Sequence, residues 1–497
     1  MIPTAYTLPS RFPHKSISKA LSPDLFLSQK PADEETVVLL DTFDEELRSS
    51  GRLLLESATG LILINPKSGT FFQQSGHAKF LCHTEITEGA VKQALKSVSD
   101  LRAFLPVVTL VLEKNIRLVL DDEGKTVVRL HCFSFKRKKN NGTQLALSQP
   151  LRGYVKEYAQ LTHAMQSISR EDHSIYEALS IKSTGFNPKP IITLKKSDPI
   201  KHTTNMIIST FIGVARQNET GIERDYDTEF LHDYRVSFRK VRSVLSLFKG
   251  VYSPTDTAHL KTEFADIMKV TGRLRDLDVY LLDKSNYFSL VPESTHEGLT
   301  LLFKAFEKER SVKHKLLCKS IKSTSYKKRV EKLANNFSQD NYHAGSQANI
   351  KSLEYACRVI LKRYQKVCTI ARSINEHTED EVVHDLRIHC KKLRYLMEFF
   401  TPLFEKKSIR SLIKSLKLLQ DNLGRFNDCS VQQESLRDFL TVNPYTGAQK
   451  INVAQSIGAL TAMLNLQQQK ERSLVMKNFA QFDSRTTREL FHQLFST

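Results

Sequence analysis

The sequence predicts a strand-rich α+β domain followed by an all-α helical bundle made of two duplicated halves. Short β-branched and aliphatic runs, separated by polar turns, fill residues 36–140 and are typical of strands. Beyond residue 200, apolar residues recur every three or four positions through long segments with few Gly or Pro, as in amphipathic helices. Two motifs of this second part return farther along the chain at one common offset, which indicates an internal duplication.

The elements of the first part follow from their residue types. Four runs have the composition of strands: Thr36–Phe43, Leu53–Glu56, Gly60–Asn65 and Val107–Glu113. Arg117–Leu120 and Thr126–Phe135 are predicted to pair as a hairpin, because Gly124 in the turn between them tolerates a positive φ. The spacing of apolar residues over Glu88–Phe104 predicts a helix.

The change in pattern also predicts the domain boundaries. Residues 182–199 contain three prolines with several Ser, Thr and Lys residues, which is typical of a linker. We therefore predict one domain over 1–181 and a second over 200–497, the latter composed of half-repeats 200–340 and 345–497.

Composition excludes several classes of protein. The chain has 497 residues, of which 40% are hydrophobic and 26% charged, as in globular proteins of more than one domain. It lacks the twenty or so consecutive apolar residues of a membrane-spanning helix, and its N-terminus lacks the apolar segment of a secretory signal. Its seven cysteines are scattered without a C-x-x-C motif, which favours reduced cytoplasmic thiols over disulfides or a zinc site.

The excess of positive charge points to an anionic partner. Lys and Arg number 73 against 54 Asp and Glu, for a net charge of +19. Residues 200–497 carry 47 of the basic and 33 of the acidic residues. Nucleic acid, an anionic membrane surface and a phosphate polymer are the partners that such a charge favours.

The duplication is seen in two motifs. His232–Arg242 returns as His384–Arg394, and Gly272–Val279 returns as Gly424–Val431, both 152 residues later. The interval between the motifs therefore has the same length in both copies.

On a helix, the first motif of each copy separates basic from apolar residues. The basic residues lie within an arc of about 80°, and they are His232, Arg235, Arg239 and Arg242 in the first copy and His384, Arg387, Lys391 and Arg394 in the second. The opposite side is apolar, with Phe238, Val241, Val244, Leu245 and Phe248 in the first copy and Cys390, Leu393, Leu396, Met397 and Phe400 in the second.

Two further helices carry rows of cations. These rows are Lys304, Lys308, Lys315, Lys319 and Lys322, and Lys351, Arg358, Lys362 and Lys366. Like charges along one helix face repel one another, and an external polyanion would relieve this repulsion. The alternative is that the rows are solvated faces, with acids supplied by neighbouring helices.

The remaining polar residues of the motifs do not indicate a metal or catalytic site. His232 and His384 lack a second ligand three or four residues away, so contact with phosphate or another hydrogen-bond partner is favoured over metal binding. Asp276 and Asp428 are interpreted as buried carboxylates that orient the arginines, because no paired acid or nucleophile accompanies them. We predict no catalytic residue, no metal and no cofactor.

The two motifs resemble those of the CHAD family, the conserved-histidine α-helical domain. The resemblance covers about 200–497 and implies a bundle of two pseudo-symmetric halves whose basic groove binds inorganic polyphosphate. The family's basic residues correspond to His232, Arg235, Arg239, Lys240, Arg242 and Arg273 in the first half, and to His384, Arg387, Lys391, Lys392, Arg394 and Arg425 in the second. Asn427 and Ser430 depart from the first copy's Arg and Asp.

The first 165 residues resemble the CYTH family, whose fold is the triphosphate tunnel. The resemblance rests on Leu40–Leu47 with Gly51 and on Leu151–Tyr154. The family's opening E-x-E-x-K, which supplies metal-binding carboxylates, has no counterpart, because residues 1–33 contain no Glu. Other charged positions of that family are occupied here by Leu55, Ser57, Val127, Arg129 and His131. We therefore predict a degenerate, non-catalytic domain.

The leading hypothesis is a cytoplasmic polyphosphate-binding protein that is not an enzyme. The resemblance further implies a bacterial protein located on polyphosphate granules. A divergent metal-dependent triphosphatase or polyphosphatase is one alternative, and an interaction scaffold is another. Nucleic-acid binding is a third, but the chain has no Trp and its basic rows lack the interleaved aromatic residues that stack on bases. No membrane partner is predicted, and the oligomeric state stays open.

Overall fold

The computed structural model describes residues 3–9, 11–137, 140–169, 174–375, 377–442 and 445–496. It divides into two compact units, which are described separately below. The first comprises Met1–Pro188 and Asp225–Glu229, and the second comprises Lys189–Arg224 and Phe230–Thr497. The division at Pro188 falls inside the segment 182–199.

The first unit is built on an antiparallel sheet, which confirms the predicted strand-rich fold. Its strands are β1 (Thr4–Leu8), β2 (Phe26–Gln29), β3 (Asp33–Asp41), β4 (Leu53–Ser57), β5 (Gly60–Asn65), β6 (Thr70–Gln74), β7 (Leu105–Leu120), β8 (Thr126–Arg137) and β9 (Asn140–Pro150). The strand order is β1-β9-β8-β7-β3-β4-β5-β6, and β2 pairs with β7. Short helices accompany the sheet: α1 (His14–Ala20), α2 (Glu46–Ser50), α3 (Ala90–Ala94), α4 (Val155–Gln166) and α5 (Ile175–Ala178).

Tertiary pairing decides where the predicted elements begin and end. Gly124 has a φ of 74° in the β7–β8 turn, so the predicted hairpin is confirmed. The two strands predicted before this turn are one strand, because Asn115 between them continues the pairing with β8 opposite Cys132.

The helix predicted over Glu88–Phe104 is wrong beyond α3. The helix ends at Ala94, and farther along the chain the backbone N–H of Ser99 donates to Glu46 while its hydroxyl accepts from the N–H of Leu101 at 3.2 Å. Serine competes with helical hydrogen bonding in this way, and contacts with other elements then fix the segment.

The sheet of the first unit curls around an apolar core. The ring of Phe71 on β6 lies 4.8 Å from the ring of His131 and 5.2 Å from that of Phe133 on β8, although four strands separate β6 and β8 in the sheet. Buried side chains from most strands fill the inside, including Val37, Leu39, Leu53, Leu55, Ile62, Ile64, Leu110, Leu112, Phe133, Phe135, Leu145 and Leu147.

The second unit is helical, as predicted. Its helices are α6 (Ile200–Gln217), α7 (Glu219–Arg224), α8 (Thr228–Leu247), α9 (Pro254–Lys269), α10 (Gly272–Leu282), α11 (Lys284–Ser289), α12 (His296–Lys322), α13 (Thr324–Ser338), α14 (Ser352–Arg372), α15 (Asp380–Phe400), α16 (Lys406–Val442), α17 (Gly447–Phe482) and α18 (Arg485–Phe495). None of the helices that the structure describes has an apolar stretch of membrane-spanning length.

Helix boundaries recur at the offset of the sequence motifs. The starts of α6, α8 and α9 lie 152 residues before those of α14, α15 and α16, and α12 and α17 agree within one residue. One difference between the halves is that α9, α10 and α11 are separate helices while the corresponding residues form the single helix α16.

The apolar sides of α8 and α15 form the centre of the helical core. The predicted apolar residues of both helices are buried, and each of them is at most 4% exposed. Phe248 and Phe400, which occupy equivalent positions in the two copies, stack with their ring centroids 4.9 Å apart and their planes 8° from parallel. The C-terminal ends of α8 and α15 therefore lie next to each other.

Candidate functional site

The meeting of α8 and α15 brings basic residues of both halves together. The positive charge of Arg239 on α8 lowers the pKa of both Arg387 and Lys391 on α15, so these side chains are close in space. Arg239 also lowers the pKa of Arg235, and Arg394 lowers that of Lys391. We call these five residues the convergent cluster: Arg235, Arg239, Arg387, Lys391 and Arg394.

Burial is the main cause of the shifted pKa values in the convergent cluster. It is the largest influence that lowers the pKa of Arg235, Arg387 and Lys391, because leaving water disfavours a charged group. For Lys391, burial and then the charges of Arg387 and Arg239 lower the pKa to about 8. Arg235 and Arg387 are half-buried, whereas Arg239, Lys391 and Arg394 are exposed, so solvent screens part of the repulsion within the cluster.

Two equivalent arginines of the cluster have a buried N–H group without a protein partner. The Nε atoms of Arg235 and Arg387 are buried and have no hydrogen-bond acceptor among the residues that the structure describes. Nη1 of Arg235 donates to the hydroxyl of Thr271, which anchors one end of the guanidinium group. A buried donor left unsatisfied costs about 1–3 kcal/mol, so an acceptor that reaches both arginines would stabilise the cluster.

The aspartates of the second motif face these arginines but are exposed, so the prediction that they are buried is wrong. Nη2 of Arg387 lies 3.6 Å from Oδ1 of Asp428, whose side chain is 65% exposed. Asp276 is exposed as well, and its charge opposes the effect of burial on the pKa of Arg235.

A different acid of the same motif is buried. Asp278 is 1% exposed and accepts a hydrogen bond of 2.7 Å from Nε of Arg310 on α12. Sequence reasoning missed this ion pair. The sequence signal for this ion pair was that Asp278 corresponds to Ser430 in the second copy. A buried carboxylate is stable only together with the cation that neutralises it, so its presence in one copy alone indicates a partner in that copy.

Several of the other predicted binding residues already have protein partners. Arg273 donates two hydrogen bonds to Glu309, at 2.8 and 2.6 Å, and Arg425 donates one to Glu471 at 2.7 Å. Arg394 donates to Glu398 at 2.6 Å, although it also belongs to the convergent cluster. These acids come from neighbouring helices or from the next helical turn.

The remaining residues of the two motifs lie around the cluster in different environments. Nζ of Lys240 lies 4.6 Å from the centroid of the Phe211 ring. His232 is half-buried, whereas Arg242 and His384 are exposed, and Lys392 lies on another side of α15.

The lysine rows of α12 and α14 lie on the solvent-exposed sides of their helices. Lys304, Lys308, Lys315, Lys319 and Lys322 are all exposed, and so are Lys351, Arg358, Lys362 and Lys366. Some have partners, such as Lys322 with Glu223 at 3.7 Å and Arg358 with Gln347 at 2.5 Å. Exposure of this kind is what the solvated-face alternative predicts.

No group of three or more His, Cys, Asp or Glu side chains that could hold a metal ion is found within the described ranges. The chemistry of the convergent cluster is instead that of an anion site, because guanidinium and ammonium groups donate hydrogen bonds and accept none.

Comparison with known proteins gives a family for the helical region. Residues 207–437 match the model of the CHAD domain family. The crystal structure of the CHAD domain from the plant Ricinus communis is similar, with 21% identity, a TM-score of 0.48, and coverage of 63% of this chain and 98% of that chain. PptA from Streptomyces chartreusis is similar with 14% identity, a TM-score of 0.45, and coverage of 57% and 99%. No curated protein matches the chain. The family match does not extend to the strand-rich region, so the part of the chain that is similar to the CHAD domain is residues 207–437.

Proposed function

We propose that the chain binds inorganic polyphosphate and that one polyphosphate chain contacts both halves of the helical region at the convergent cluster. The observation that carries this proposal is the pair of equivalent arginines, Arg235 and Arg387, each with a buried Nε–H that lacks an acceptor in the part of the chain that the structure describes. CHAD domains are in general associated with polyphosphate, which supports the choice of polymer.

The physical argument rests on charge and symmetry. Arginine presents several N–H donors in a fork that matches phosphate oxygens, and lysine adds an adaptable point charge. Arg239 and Lys391 occupy equivalent positions of the two copies and lie close together, so the cluster presents similar donors from both halves. A linear polymer with one negative charge per repeating phosphate can meet both sets at once.

We further propose that the protein binds polyphosphate without cleaving it. In the strand-rich unit, the position at which the CYTH family has an arginine is Leu55, which is 1% exposed inside the curled sheet. The apolar side chains around it cannot hold a triphosphate, because desolvating several phosphate charges without donors is strongly unfavourable. Phosphate release from polyphosphate by the purified full chain would contradict this part of the proposal.

The test is a titration of the full chain with long-chain polyphosphate at several salt concentrations, with duplex DNA as competitor. We expect salt-sensitive binding that DNA does not displace, since neutralising phosphates releases counterions. Replacing both equivalent arginines, in the variant Arg235→Gln/Arg387→Gln, should weaken binding at least about 100-fold, since a hydrogen bond to a charged group contributes about 1.5–3 kcal/mol.

The matched control is Lys328→Gln/Lys332→Gln, which removes the same charge from two exposed positions of α13. We expect it to bind nearly as tightly as the natural chain. Equal weakening by both variants would show that the total charge matters and the convergent cluster does not. Displacement of polyphosphate by DNA would favour nucleic acid as the ligand.

A further inference from the structure

A second group of basic side chains surrounds His389 on α15. Nη1 of Arg363, on α14, lies 3.0 Å from Nδ1 of His389. A guanidinium group can only donate, so Nδ1 accepts and the proton of the neutral imidazole resides on Nε2. Lys392 and Lys366 act electrostatically on His389, and Lys249 acts on Lys392. We call these five residues the His389 cluster.

The His389 cluster carries uncompensated positive charge. Burial and then the charges of Arg363, Lys392 and Lys366 lower the pKa of His389 to about 4, while Asp385 opposes them. Asp385 is exposed, so solvent screens much of its effect. Among the charges that act on His389, three are cations and one is the exposed carboxylate of Asp385.

Arg363 has no carboxylate partner within the part of the chain that the structure describes. Its residue is half-buried, and burial lowers the pKa of its guanidinium group. Other half-buried arginines either pair with acids, as Arg273 does with Glu309, or belong to the convergent cluster, as Arg235 does. A half-buried guanidinium without a counter-ion is a group that an external anion would stabilise.

The His389 cluster is separate from the convergent cluster. Around the axis of α15, Lys392 lies about 100° and His389 about 160° from Lys391, at 100° per residue. A single phosphate group therefore cannot contact both clusters, because they lie on different sides of the same helix.

The first half of the duplication has no counterpart of this cluster. At the common offset of 152 residues, Phe211 occupies the position of Arg363 and Ser237 that of His389. Both are buried, and Lys240 there lies over the ring of Phe211 at 4.6 Å. In the second half, the cation Arg363 thus replaces the aromatic ring that contacts a lysine in the first half.

We propose that the His389 cluster is an accessory phosphate site, which binds a second stretch of the polyphosphate chain held at the convergent cluster. Phosphate oxygens would accept hydrogen bonds from Arg363, from the lysines and from Nε2–H of His389. The identity of the polymer rests on the proposed function, whereas the existence of an anion site rests on the contacts of the His389 cluster alone.

The test compares long-chain polyphosphate with tripolyphosphate on the full-length protein. The variant Arg363→Gln/Lys392→Gln should bind the long chain about tenfold more weakly and tripolyphosphate as the natural protein does. Its plot of log affinity against log salt should be shallower by about 1.4, since each phosphate contact on a single strand contributes about 0.7. Lys328→Gln/Lys332→Gln is again the control of equal charge. An affinity and slope equal to those of this control would overturn the accessory site.

A spectroscopic measurement separates the two proposals. Polyphosphate should shift the imidazole ¹⁵N signals of His389, assigned with the variant His389→Gln, in the natural chain and in Arg235→Gln/Arg387→Gln. If those signals move in both proteins but the convergent variant binds as tightly as the natural chain, the proposed function of the convergent cluster fails and the accessory site stands. If the signals do not move while the convergent variant loses binding, the accessory site fails and the convergent cluster stands.

Discussion

Lys391 should make the affinity for polyphosphate depend on pH above neutrality. Burial, Arg387 and Arg239 lower its pKa to about 8 in the free protein. A phosphate chain bound beside it would favour the charged form and raise the pKa toward the usual value of about 10.4. The pKa is thus higher in the complex, so this contribution to binding is complete below pH 8 and is lost as the pH rises from 8 toward the pKa of the complex.

The size of the effect follows from the titration of one group. At pH 7 about nine in ten Lys391 side chains of the free protein are protonated, and at pH 9 about one in ten, for a pKa of about 8. Lys391 is exposed, so solvent screens part of this effect, and the affinity should fall several-fold, and at most about tenfold, between pH 7 and pH 9.

Isothermal titration of the full chain with long-chain polyphosphate at pH 7, 8 and 9, at constant ionic strength, measures this loss. Lys391→Arg is the control, because a guanidinium group stays protonated throughout this range. It should bind as the natural chain does at pH 7 and keep that affinity at pH 9. Constant affinity of the natural chain from pH 7 to pH 9, or an equal loss in Lys391→Arg, would refute the reasoning.

Three further predictions concern single residues. Asp428→Asn should tighten polyphosphate binding roughly two- to fivefold in the same titration, because it removes an exposed carboxylate near Arg387 that is worth about 0.2–1 kcal/mol. Phe400→Ala should lower the free energy of unfolding in urea by about 3–5 kcal/mol, since it leaves a cavity beside Phe248, and a loss below 1 kcal/mol would contradict the stacked core. Asp278→Asn should cost about 3–5 kcal/mol in the same assay, because it leaves a largely buried guanidinium group of α12 without its counter-ion, and unchanged stability would show that the ion pair is dispensable.

The fold class and the composition of the basic rows follow from the sequence alone. Hydrophobic periodicity is a local property of the chain, so it predicted the strands of the first unit, the helices of the second and the buried sides of α8 and α15. The offset of 152 residues between the motifs is also the offset between the starts of three helix pairs.

Prediction of secondary structure from local sequence patterns failed where hydrogen bonds to residues distant in the chain determine the conformation. The residues around Ser99 have helical spacing, yet hydrogen bonds to Glu46 hold them out of a helix. The residues between the two predicted strands of β7 have the composition of a loop. Their pairing with β8 nevertheless joins the two runs into one strand. In each case a hydrogen-bond partner more than ten residues away in the chain provides the stabilisation.

Which cations act together depends on how the helices pack. Periodicity places a residue on a side of its own helix, but it does not say which helix faces that side. Packing of Phe248 on Phe400 brings Arg239 near Arg387 and Lys391 of the other half, and the spacing of residues along α8 does not reveal this proximity. Electrostatic coupling depends on distance through space, so the convergent cluster forms only once the two halves have packed, and the His389 cluster forms only once α14 has packed on α15.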